Sequence, residues 1–339
     1  MSSGVKKLDK NVGETARLTI AQAVTDALKL EMERDSTVVV LGEDVGKDGG
    51  VFRATDGLID IFGPQRVIDT PLAENAIVGA SIGMALGGLR PVAEIQFMGF
   101  IYLSLNQLFA HAARYRWRSR GRHSVPMVVR MPYGGGIHAP EHHSESYEAL
   151  FAHTPGLKVV IPSTPYDTKG LLISAIRDDD PVIFLEPKRI YRAFREEVPK
   201  ESYTIPLGKA KLVKEGDDIT LISYGAMMRP TLEAAEQLQK EGINPEIIDL
   251  RTVHPFDREA ILNSVKKTGR CVVIQEAPRI ASIASEISAL IHEELLLHLL
   301  APVKRVTGYD TPIPFAKTEK YYLPDAKRIL DAAKYTLNY

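Results

Sequence analysis

The sequence predicts an α/β protein built from two doubly wound domains. Apolar runs of strand length alternate with helical patterns, which is typical of helices packed on both faces of parallel sheets. The alternation breaks once, from Pro187 to Pro206, where charged and proline residues collect. With 339 residues the chain is long enough for two cores of ordinary size. We therefore divide it into a polar tail over 1–16, a first domain over 17–190, a linker over 191–207 and a second domain over 208–339.

Each predicted strand is a short apolar run, and the predicted helices between strands are longer. In the first domain we predict strands at Val38–Leu41, Val92–Ile95, Met127–Met131, Val159–Ile161 and Val182–Leu185, with helices near Ile20–Met32 and Asp167–Ile176. In the second domain we predict strands at Ile219–Ser223, Ile247–Leu250, Val272–Gln275 and Val303–Val306, with helices near Thr231–Lys240, Ile280–Leu297 and Ala326–Leu337.

The stretch from Phe100 to about Trp117 is apolar on nearly every side of a predicted helix. Such a helix is buried all round or lies in a subunit interface. Residues i and i+2 of a helix point to different faces, so alternating arginines at its end do not form one phosphate-binding stripe. We interpret them as cations at a helix C-terminus and as salt-bridge partners of another subunit. They are Arg114, Arg116, Arg118, Arg120 and Arg122.

Composition and charge narrow the class of protein. The chain is 45% hydrophobic, as a globular protein is, and its formal charge is −1, so no overall field would draw it to nucleic acid or to an anionic membrane. The one cysteine, Cys271, excludes an internal disulfide and lies in an apolar run, which predicts a buried thiol in a reducing compartment. Neither a signal core nor a membrane span is found, and we expect a cytoplasmic protein.

The most informative pattern is a glycine repeat downstream of an acidic residue. Gly79, Gly83 and Gly87 recur every fourth residue, so on a helix they form a smooth strip that another backbone can approach closely. Thr70 and Pro71 predict the helix start, which places Glu74 near the positive end of the helix dipole. A glutamate at this position is suited to bind a ligand, although such residues most often only complement the dipole.

These residues resemble a known family. Glutamate followed by four residues and then by Gly-apolar-x-x-Gly resembles the signature of the pyrimidine-binding domain of thiamine diphosphate enzymes. From about Leu18 onward the sequence resembles the beta subunit of the 2-oxo acid dehydrogenase component of the pyruvate and branched-chain complexes. The matching stretches are Leu41–Val45, Gly50–Thr55, Asp69–Glu74 and Ala93–Phe97. The resemblance implies a thiamine diphosphate pyrimidine-binding domain followed by a transketolase C-terminal-like domain.

The resemblance also implies the cofactor-binding residues. Glu74 would hydrogen-bond a ring nitrogen of the aminopyrimidine, and Phe100 would lie against the pyrimidine ring. Burial of the carboxyl would strengthen this bond, and a flat apolar face would orient the cofactor. Leu72 and Gln96, which belong to the matching stretches, are assigned to the same site.

A glycine-rich loop with three histidines carries the second predicted catalytic residue. Gly134, Gly135 and Gly136 favour an irregular loop, and loops on rigid scaffolds often carry functional side chains. The resemblance aligns His143 with the active-site histidine of the family, whose implied role is to donate a proton during acyl transfer to lipoamide. His142 and His138 remain alternatives for this role.

The same loop offers a different class of site. His138 to His142 fits the H-x-x-E-H pattern of inverted zinc peptidases, in which two histidines one helical turn apart bind the metal. Pro140 lies between the two histidines and opposes the helix that this zinc site requires. We therefore keep a zinc peptidase as a remote alternative only.

A third candidate site is acidic. Asp178 and Asp180 resemble a loop that holds a structural monovalent cation, such as K⁺, in related beta subunits, and oxygen ligands suit a hard cation. An ordinary acidic turn explains the same residues.

The sequence lacks the Gly-Asp-Gly motif with which thiamine diphosphate enzymes anchor Mg²⁺ and the diphosphate. The resemblance therefore implies that an alpha subunit holds Mg²⁺ and shares the cofactor in an α2β2 heterotetramer. The expected reaction is oxidative decarboxylation of a 2-oxo acid, followed by reductive acylation of lipoyl groups on a dihydrolipoyl acyltransferase. We slightly favour a branched-chain 2-oxo acid over pyruvate. The alternative from another class is a catalytically idle scaffold that docks the acyltransferase core.

Overall fold

The computed structural model describes residues 13–339. Most of the predicted polar tail, residues 1–12, lies outside the described residues, whereas its end forms a strand. The strands of the described part are β1 (Thr15–Leu18), β2 (Val38–Gly42), β3 (Val67–Asp69), β4 (Arg90–Glu94), β5 (Val128–Tyr133), β6 (Lys158–Val160), β7 (Val182–Pro187), β8 (Glu196–Pro199), β9 (Lys211–Lys214), β10 (Ile219–Ser223), β11 (Pro245–Asp249), β12 (Thr252–His254), β13 (Cys271–Ile274) and β14 (Lys304–Val306).

The helices begin at residues suited to that position. Thr19 caps α1 in a capping box with Gln22, and Thr164 caps α6 with Pro165 in its first turn. The α-helices of residues 13–339 are α1 (Ile20–Arg34), α2 (Leu58–Phe62), α3 (Glu74–Leu86), α4 (Tyr115–Arg118), α5 (Glu148–Ala152), α6 (Pro165–Arg177), α7 (Met228–Lys240), α8 (Arg258–Thr268), α9 (Ile283–Leu295), α10 (Ala316–Tyr322) and α11 (Ala326–Leu337).

The first domain is built on a seven-stranded sheet with the order β12-β6-β7-β5-β4-β2-β3, as far as residues 13–339 show. Its strands are parallel except for β12, which pairs antiparallel with β6 and comes from the second half of the chain. Helices α1 and α6 pack against each other on this sheet. The second domain therefore completes the edge of the first sheet.

The second domain contains a five-stranded sheet with the order β14-β13-β10-β11-β9, counted over the same described residues. Its strands are parallel apart from β9 at one edge. One apolar core runs from the first sheet into the second and includes Phe151, Ile161, Ile222 and Val273. The predicted α/β class with two sheets is thus confirmed, and the two domains share a core.

The segment predicted as a linker is more regular than expected. Within residues 191–207, β8 pairs antiparallel with β1 in a separate two-stranded sheet. This pairing ties the segment to the start of the described chain. Cys271 is fully buried in β13, as predicted.

The stretch from Phe100 to Trp117 is not one helix. It consists of a 3₁₀ segment over Met98–Ser104, a π-helical turn over Gln107–His111, a 3₁₀ turn over Ala112–Arg114 and the short α4. The side chains of Leu103 and Trp117 are 71% and 87% exposed. The prediction of one continuous buried helix is therefore wrong. Large apolar side chains remain exposed on this stretch, and a partner could cover them.

No helix among residues 13–339 has the length and apolar character that crossing a membrane would require.

Candidate active site

The candidate active site lies at the carboxyl edge of the first sheet. β2 has β3 on one side and β4 on the other, so the chain reverses its direction of winding there. In open α/β sheets ligands bind in the crevice at such a switch point. Glu43 follows β2, and Gln96 and Phe100 follow β4.

Glu74 begins α3 and is buried, with 6% of its surface exposed. Ala73 precedes it and provides no side-chain cap, so the helix start keeps free backbone donors close to this carboxylate. Glu43 is equally buried, and its pKa is raised by burial, by Glu74 and by Asp44. The site therefore brings two buried carboxyl groups together, of which the sequence analysis identified one.

The predicted aromatic residue and the predicted histidine lie side by side. The ring centroids of Phe100 and His143 are 5.1 Å apart, and those of Phe97 and His143 are 4.6 Å apart. His142 contacts the Phe100 ring from another direction at 5.3 Å. The 3₁₀ segment that carries Phe100 approaches the histidine loop so closely that a Cβ on Gly99 would collide with the carbonyl oxygen of His142. His143 and Phe100 thus belong to one packed cluster.

Three side chains explain why the histidine loop needs three consecutive glycines. A Cβ on Gly134 would lie 2.6 Å from Oε1 of Glu276, and one on Gly136 would lie 2.6 Å from Cδ of Arg189. A Cβ on Gly135 would collide with Cδ1 of Ile313. Gly134 and Gly136 also have φ of +83° and +89°, which favours glycine.

Two carboxylates of the second domain hold this loop through its backbone. The amide of Gly135 donates to Glu276 at 3.0 Å, and the amides of Gly136 and His138 donate to Glu319 at 2.6 and 3.1 Å. Nδ1 of His138 also lies 2.8 Å from Glu319. Of the three histidines, His138 is thus held by the second domain, whereas His143 faces the aromatic cluster.

Several buried polar atoms near this loop have no hydrogen-bond partner within residues 13–339. They are Nδ1 of His143, Oε1 of Glu276 and Oε2 of Glu148. Burial raises the pKa of Glu276 to about 7, despite the opposing hydrogen bond from Gly135. Burial also raises the pKa of Glu148, against the hydrogen bond that the Tyr224 hydroxyl donates at 2.6 Å. Unpartnered buried groups with shifted pKa values are typical of functional sites.

The imidazole of His143 is tuned toward its neutral form. Burial, the Lys188 ammonium and His142 lower its pKa below the ordinary value, and Glu141 opposes them to a smaller extent. At neutral pH most molecules therefore carry a neutral imidazole, and the protonated form is a stronger acid than an exposed histidine.

The sequence analysis missed several polar residues of this region, among them Glu43, Lys188, Glu276 and Glu319. Three of them carry a signal that could have found them, because each follows closely on a predicted parallel strand, where ligands collect in α/β folds. Glu319 lies on α10 and carries no comparable signal.

The two remaining predicted cofactor residues differ in position. Nε2 of Gln96 lies 3.4 Å from Asp44, beside the buried carboxyl pair. Leu72 is 80% exposed, ahead of α3. Leu72 is therefore accessible to a cofactor or a partner but is not packed in this chain.

Asp178 and Asp180 lie elsewhere, at the amino-terminal edge of the first sheet, and both are paired with cationic side chains. Nζ of Lys158 lies 2.7 and 2.6 Å from the two oxygens of Asp178, and Arg116 pairs with Asp180 at 2.5 Å. The guanidinium of Arg90 donates a hydrogen bond to the backbone carbonyl oxygen of Asp178 at 2.9 Å. Much of the oxygen set that would bind a monovalent cation is thus engaged within the chain.

The zinc alternative finds no support. Glu141–His143 is a 3₁₀ turn instead of a helix, so His138 and His142 are not spaced along one helical face. Across the described residues, no group of three or more histidine, cysteine or acidic side chains is arranged to hold a metal.

Comparisons with known proteins define the class of this chain. A family model described as "Transketolase, pyrimidine binding domain" matches residues 16–193, and one described as "Transketolase, C-terminal domain" matches residues 208–329. A solved structure described as "Split gene transketolase, inactive beta4 tetramer" shares the fold with a TM-score of 0.77 over 95% of this chain and 99% of that chain, at 23% identity. The chain therefore has the two-domain fold of the transketolase type, with a pyrimidine-binding domain followed by a transketolase C-terminal domain.

Curated relatives narrow the class to one family. The chain is 53% identical to the pyruvate dehydrogenase E1 component subunit beta of Bacillus subtilis, over 96% of this chain and 100% of that protein. It is 54% identical to the protein of the same name from Acholeplasma laidlawii, over 93% and 96%. The chain belongs to the family of beta subunits of thiamine-diphosphate-dependent 2-oxo acid dehydrogenases, as its sequence resemblance predicted. It is a subunit of an enzyme.

Proposed function

We propose that this chain supplies the pyrimidine-binding and acyl-transferring half of a pyruvate dehydrogenase active site. The observation that carries the proposal is the packing of His143 against Phe100, which follows β4 at the switch point of the sheet. The sequence analysis slightly favoured branched-chain 2-oxo acids. Because the named relatives are pyruvate dehydrogenase subunits, we now propose pyruvate as the substrate.

The residues of the site fit the pyrimidine end of thiamine diphosphate. Glu74 offers a buried carboxyl for a ring nitrogen, and Phe100 offers a flat apolar face. When bound, the cofactor would supply a nucleophilic carbon for reaction with the keto group of the substrate. Glu74 would hydrogen-bond that ring nitrogen and so favour the reactive tautomer of the aminopyrimidine, and burial of the carboxyl would strengthen the hydrogen bond. Gln96 and Leu72 are proposed to contact the cofactor as well.

His143 is proposed to act when the lipoyl disulfide opens. The decarboxylated substrate fragment is the two-electron reductant: as its carbon forms a bond to one sulfur and is oxidised to the acyl level, the S–S bond breaks. The other sulfur leaves as a thiolate, which takes a proton from the protonated imidazole of His143. The lowered pKa of His143 makes its protonated form a ready donor. Because less of that form exists at high pH, this transfer slows as pH rises above the pKa of His143.

An alpha subunit is proposed to complete the site in an α2β2 heterotetramer. The sequence lacks the Gly-Asp-Gly motif, so Mg²⁺ and the diphosphate are assigned to the alpha chain. The face of α3 that carries Ala80 and Gly83 is exposed, and a Cβ added to Gly83 would meet no atom of residues 13–339. Such a face allows a second helix to approach closely.

The remaining expectations follow from these assignments. The lipoyl group is proposed to come from a dihydrolipoyl acyltransferase, and the domain limits 17–190 and 208–339 are kept as proposed. A monovalent cation at Asp178 and Asp180 stays a prediction that the pairing with Lys158 and Arg116 does not favour. An idle scaffold is less well supported, because Glu74, Phe100 and His143 are all present.

The test separates the two catalytic residues by reaction step. In the enzyme reconstituted with its alpha subunit, Glu74→Gln should depress both decarboxylation, measured with an artificial electron acceptor, and the overall lipoamide reaction. His143→Asn should keep the first and lower the second by about 10² to 10⁴-fold. His142→Asn is the matched control and should alter neither strongly. Near-normal lipoamide turnover in His143→Asn would show that the assignment is wrong.

The substrate is tested in the same reconstituted enzyme. Rates with pyruvate and with 2-oxoisovalerate are compared at saturating lipoamide, and pyruvate should give the higher kcat/KM. A higher value for 2-oxoisovalerate would restore the branched-chain assignment.

A further inference from the structure

Lys188 is a buried lysine that lies against the histidine loop. It follows β7, a central strand of the first sheet, and only 4% of its surface is exposed. Its ammonium group donates a hydrogen bond to the backbone carbonyl oxygen of His143. The same ammonium lies 5.1 Å from the ring centroid of Phe97, which in turn packs against the His143 ring.

The environment of Lys188 is unusual for a buried cation. Within residues 13–339 no carboxylate lies within salt-bridge distance of it; Glu276, Glu319 and Glu145 act on it from farther away. Burial lowers its pKa to about 8, so the side chain stays mostly protonated at neutral pH. A buried charge without a paired partner is expensive, and such groups are found where function requires them.

The charge of Lys188 is directed at the predicted catalytic histidine. After burial itself, Lys188 is the largest of the effects that lower the pKa of His143, ahead of His142, and Glu141 opposes them. The backbone hydrogen bond and the electrostatic effect thus act on the same residue. His138, by contrast, is held by Glu319.

We propose that Lys188 is a positioning residue for His143, whose ammonium fixes the His143 backbone through its carbonyl oxygen and places a positive charge beside the imidazole. This inference rests on the proposed function of His143. Lys188 itself does not act on the reacting atoms. Its hydrogen bond keeps the histidine loop against the Phe97 and Phe100 rings, and its charge keeps the imidazole neutral until a proton is delivered.

The two contributions can be separated by substitution. Lys188→Gln keeps a hydrogen-bond donor near the carbonyl but removes the charge, whereas Lys188→Arg keeps both charge and donors. Lys188→Met removes both. Lys169→Gln is the matched control, because Lys169 is another buried lysine, bound to Asp26 and to the Pro199 carbonyl away from the histidine loop.

The protonation of His143 is measured directly, without using activity. The reconstituted enzyme is treated with diethyl pyrocarbonate at several pH values, and mass spectrometry of the peptide that contains His143 gives the modification rate, which follows the neutral imidazole. Lys188→Gln and Lys188→Met should raise the pH midpoint of the His143 modification rate by about 0.5 to 1 pH unit. Lys188→Arg and Lys169→Gln should leave it unchanged.

Activity provides the second measurement. Lys188→Met should lower lipoamide-dependent turnover by about 10-fold or more and leave decarboxylation with an artificial acceptor within about twofold. If the His143 midpoint is unchanged in both Lys188→Gln and Lys188→Met, the proposal is wrong. If activity is lost without a shift of this midpoint, Lys188 has only a structural role, and the proposal is wrong in that case too. Because the midpoint does not depend on catalysis, it still tests Lys188 if His143→Asn proves fully active.

Discussion

Two buried polar clusters at the carboxyl edge of the first sheet differ in how completely they are paired. In the first, Arg130 on β5 donates from Nε and Nη2 to both oxygens of Glu186, at 2.7 and 2.8 Å, and from Nη1 to Glu94. The Tyr191 hydroxyl donates to Glu186 as well. These charged side chains are almost fully buried, and their partners lie on neighbouring strands.

The second cluster surrounds the histidine loop and is incompletely paired. His143, Glu148 and Glu276 each keep a buried polar atom without a hydrogen bond among residues 13–339, and Lys188 has no ion-pair partner there. Burial of a charged side chain therefore does not by itself identify a functional site. A closed network such as that of Arg130 supports the fold, whereas unpartnered groups are held ready for a ligand or a proton.

The largest expected effect comes from breaking the closed network. Arg130→Met would leave Glu94 and Glu186 buried without their cation, which should destabilise the chain by about 3 to 5 kcal/mol. The shift of the denaturant midpoint measures this loss. If Arg130→Met cost no more than an exposed pair, the cluster would not have the structural role that we assign to it.

The next largest expected effect is the pH dependence of folding stability that Glu276 contributes. Burial raises the pKa of Glu276 in the folded chain to about 7, above its ordinary value of 4.5, so the folded chain holds a proton that the unfolded chain releases. The contribution of Glu276 to folding stability should therefore be fully present below about pH 4.5 and be lost as pH rises through about 7, by at most about 3 kcal/mol. Glu276→Gln cannot ionise and should flatten this part of the profile.

Thermal midpoints of the reconstituted enzyme between pH 5 and 8 test the Glu276 prediction. Glu276→Gln should lose less stability than the parent over this range, because glutamine cannot ionise. Its amide oxygen can still accept the hydrogen bond from Gly135, so the substitution changes little else. Glu148→Gln provides a comparison at the neighbouring buried carboxyl. Parallel profiles for parent and Glu276→Gln would mean that Glu276 does not titrate in this range.

A smaller change targets the packing of the histidine loop. Gly135→Ala would place a methyl group against Ile313 and, at 3.1 Å, near Oε1 of Glu319. Overpacking of this kind costs about 1 to 3 kcal/mol, and the displaced loop should also slow the lipoamide reaction. Adding Ile313→Ala should restore part of both losses. If the double variant recovers neither stability nor the lipoamide reaction, the effect of Gly135→Ala does not come from its contact with Ile313.

The sequence predicted much of the fold, because the central strands are continuous apolar runs. β1, β3, β8, β9 and β12 were missed, since they have only three or four residues and most of them are partly exposed. The stretch from Phe100 to Trp117 failed for another reason. Apolar side chains on all faces fit a helix in sequence but do not fix one regular helix when part of the surface faces outward.

The candidate site was predictable only in part. Glu74, Phe100 and His143 follow from a family motif, and the structure brings Phe100 and His143 into contact. Glu276 and Glu319 bind the histidine loop from 141 and up to 183 residues away along the chain. No local pattern encodes such contacts, because they depend on how the second domain packs against the first.

The smallest expected effect comes from an exposed ion pair and completes the comparison with Arg130. Arg116 lies 2.5 Å from Asp180, but both side chains are substantially accessible to water, and Lys158 lies 3.9 Å from the same carboxylate. Water screens such a pair, so Arg116→Met should cost less than about 1 kcal/mol, and the loss should shrink further at high salt. Denaturant midpoints of the full chain at low and high salt measure it. A loss of stability as large as that of Arg130→Met would contradict the expected difference between buried and exposed ion pairs. If stability is unchanged but assembly with the alpha subunit weakens, Arg116 instead serves a partner, as the sequence analysis allowed for these alternating arginines.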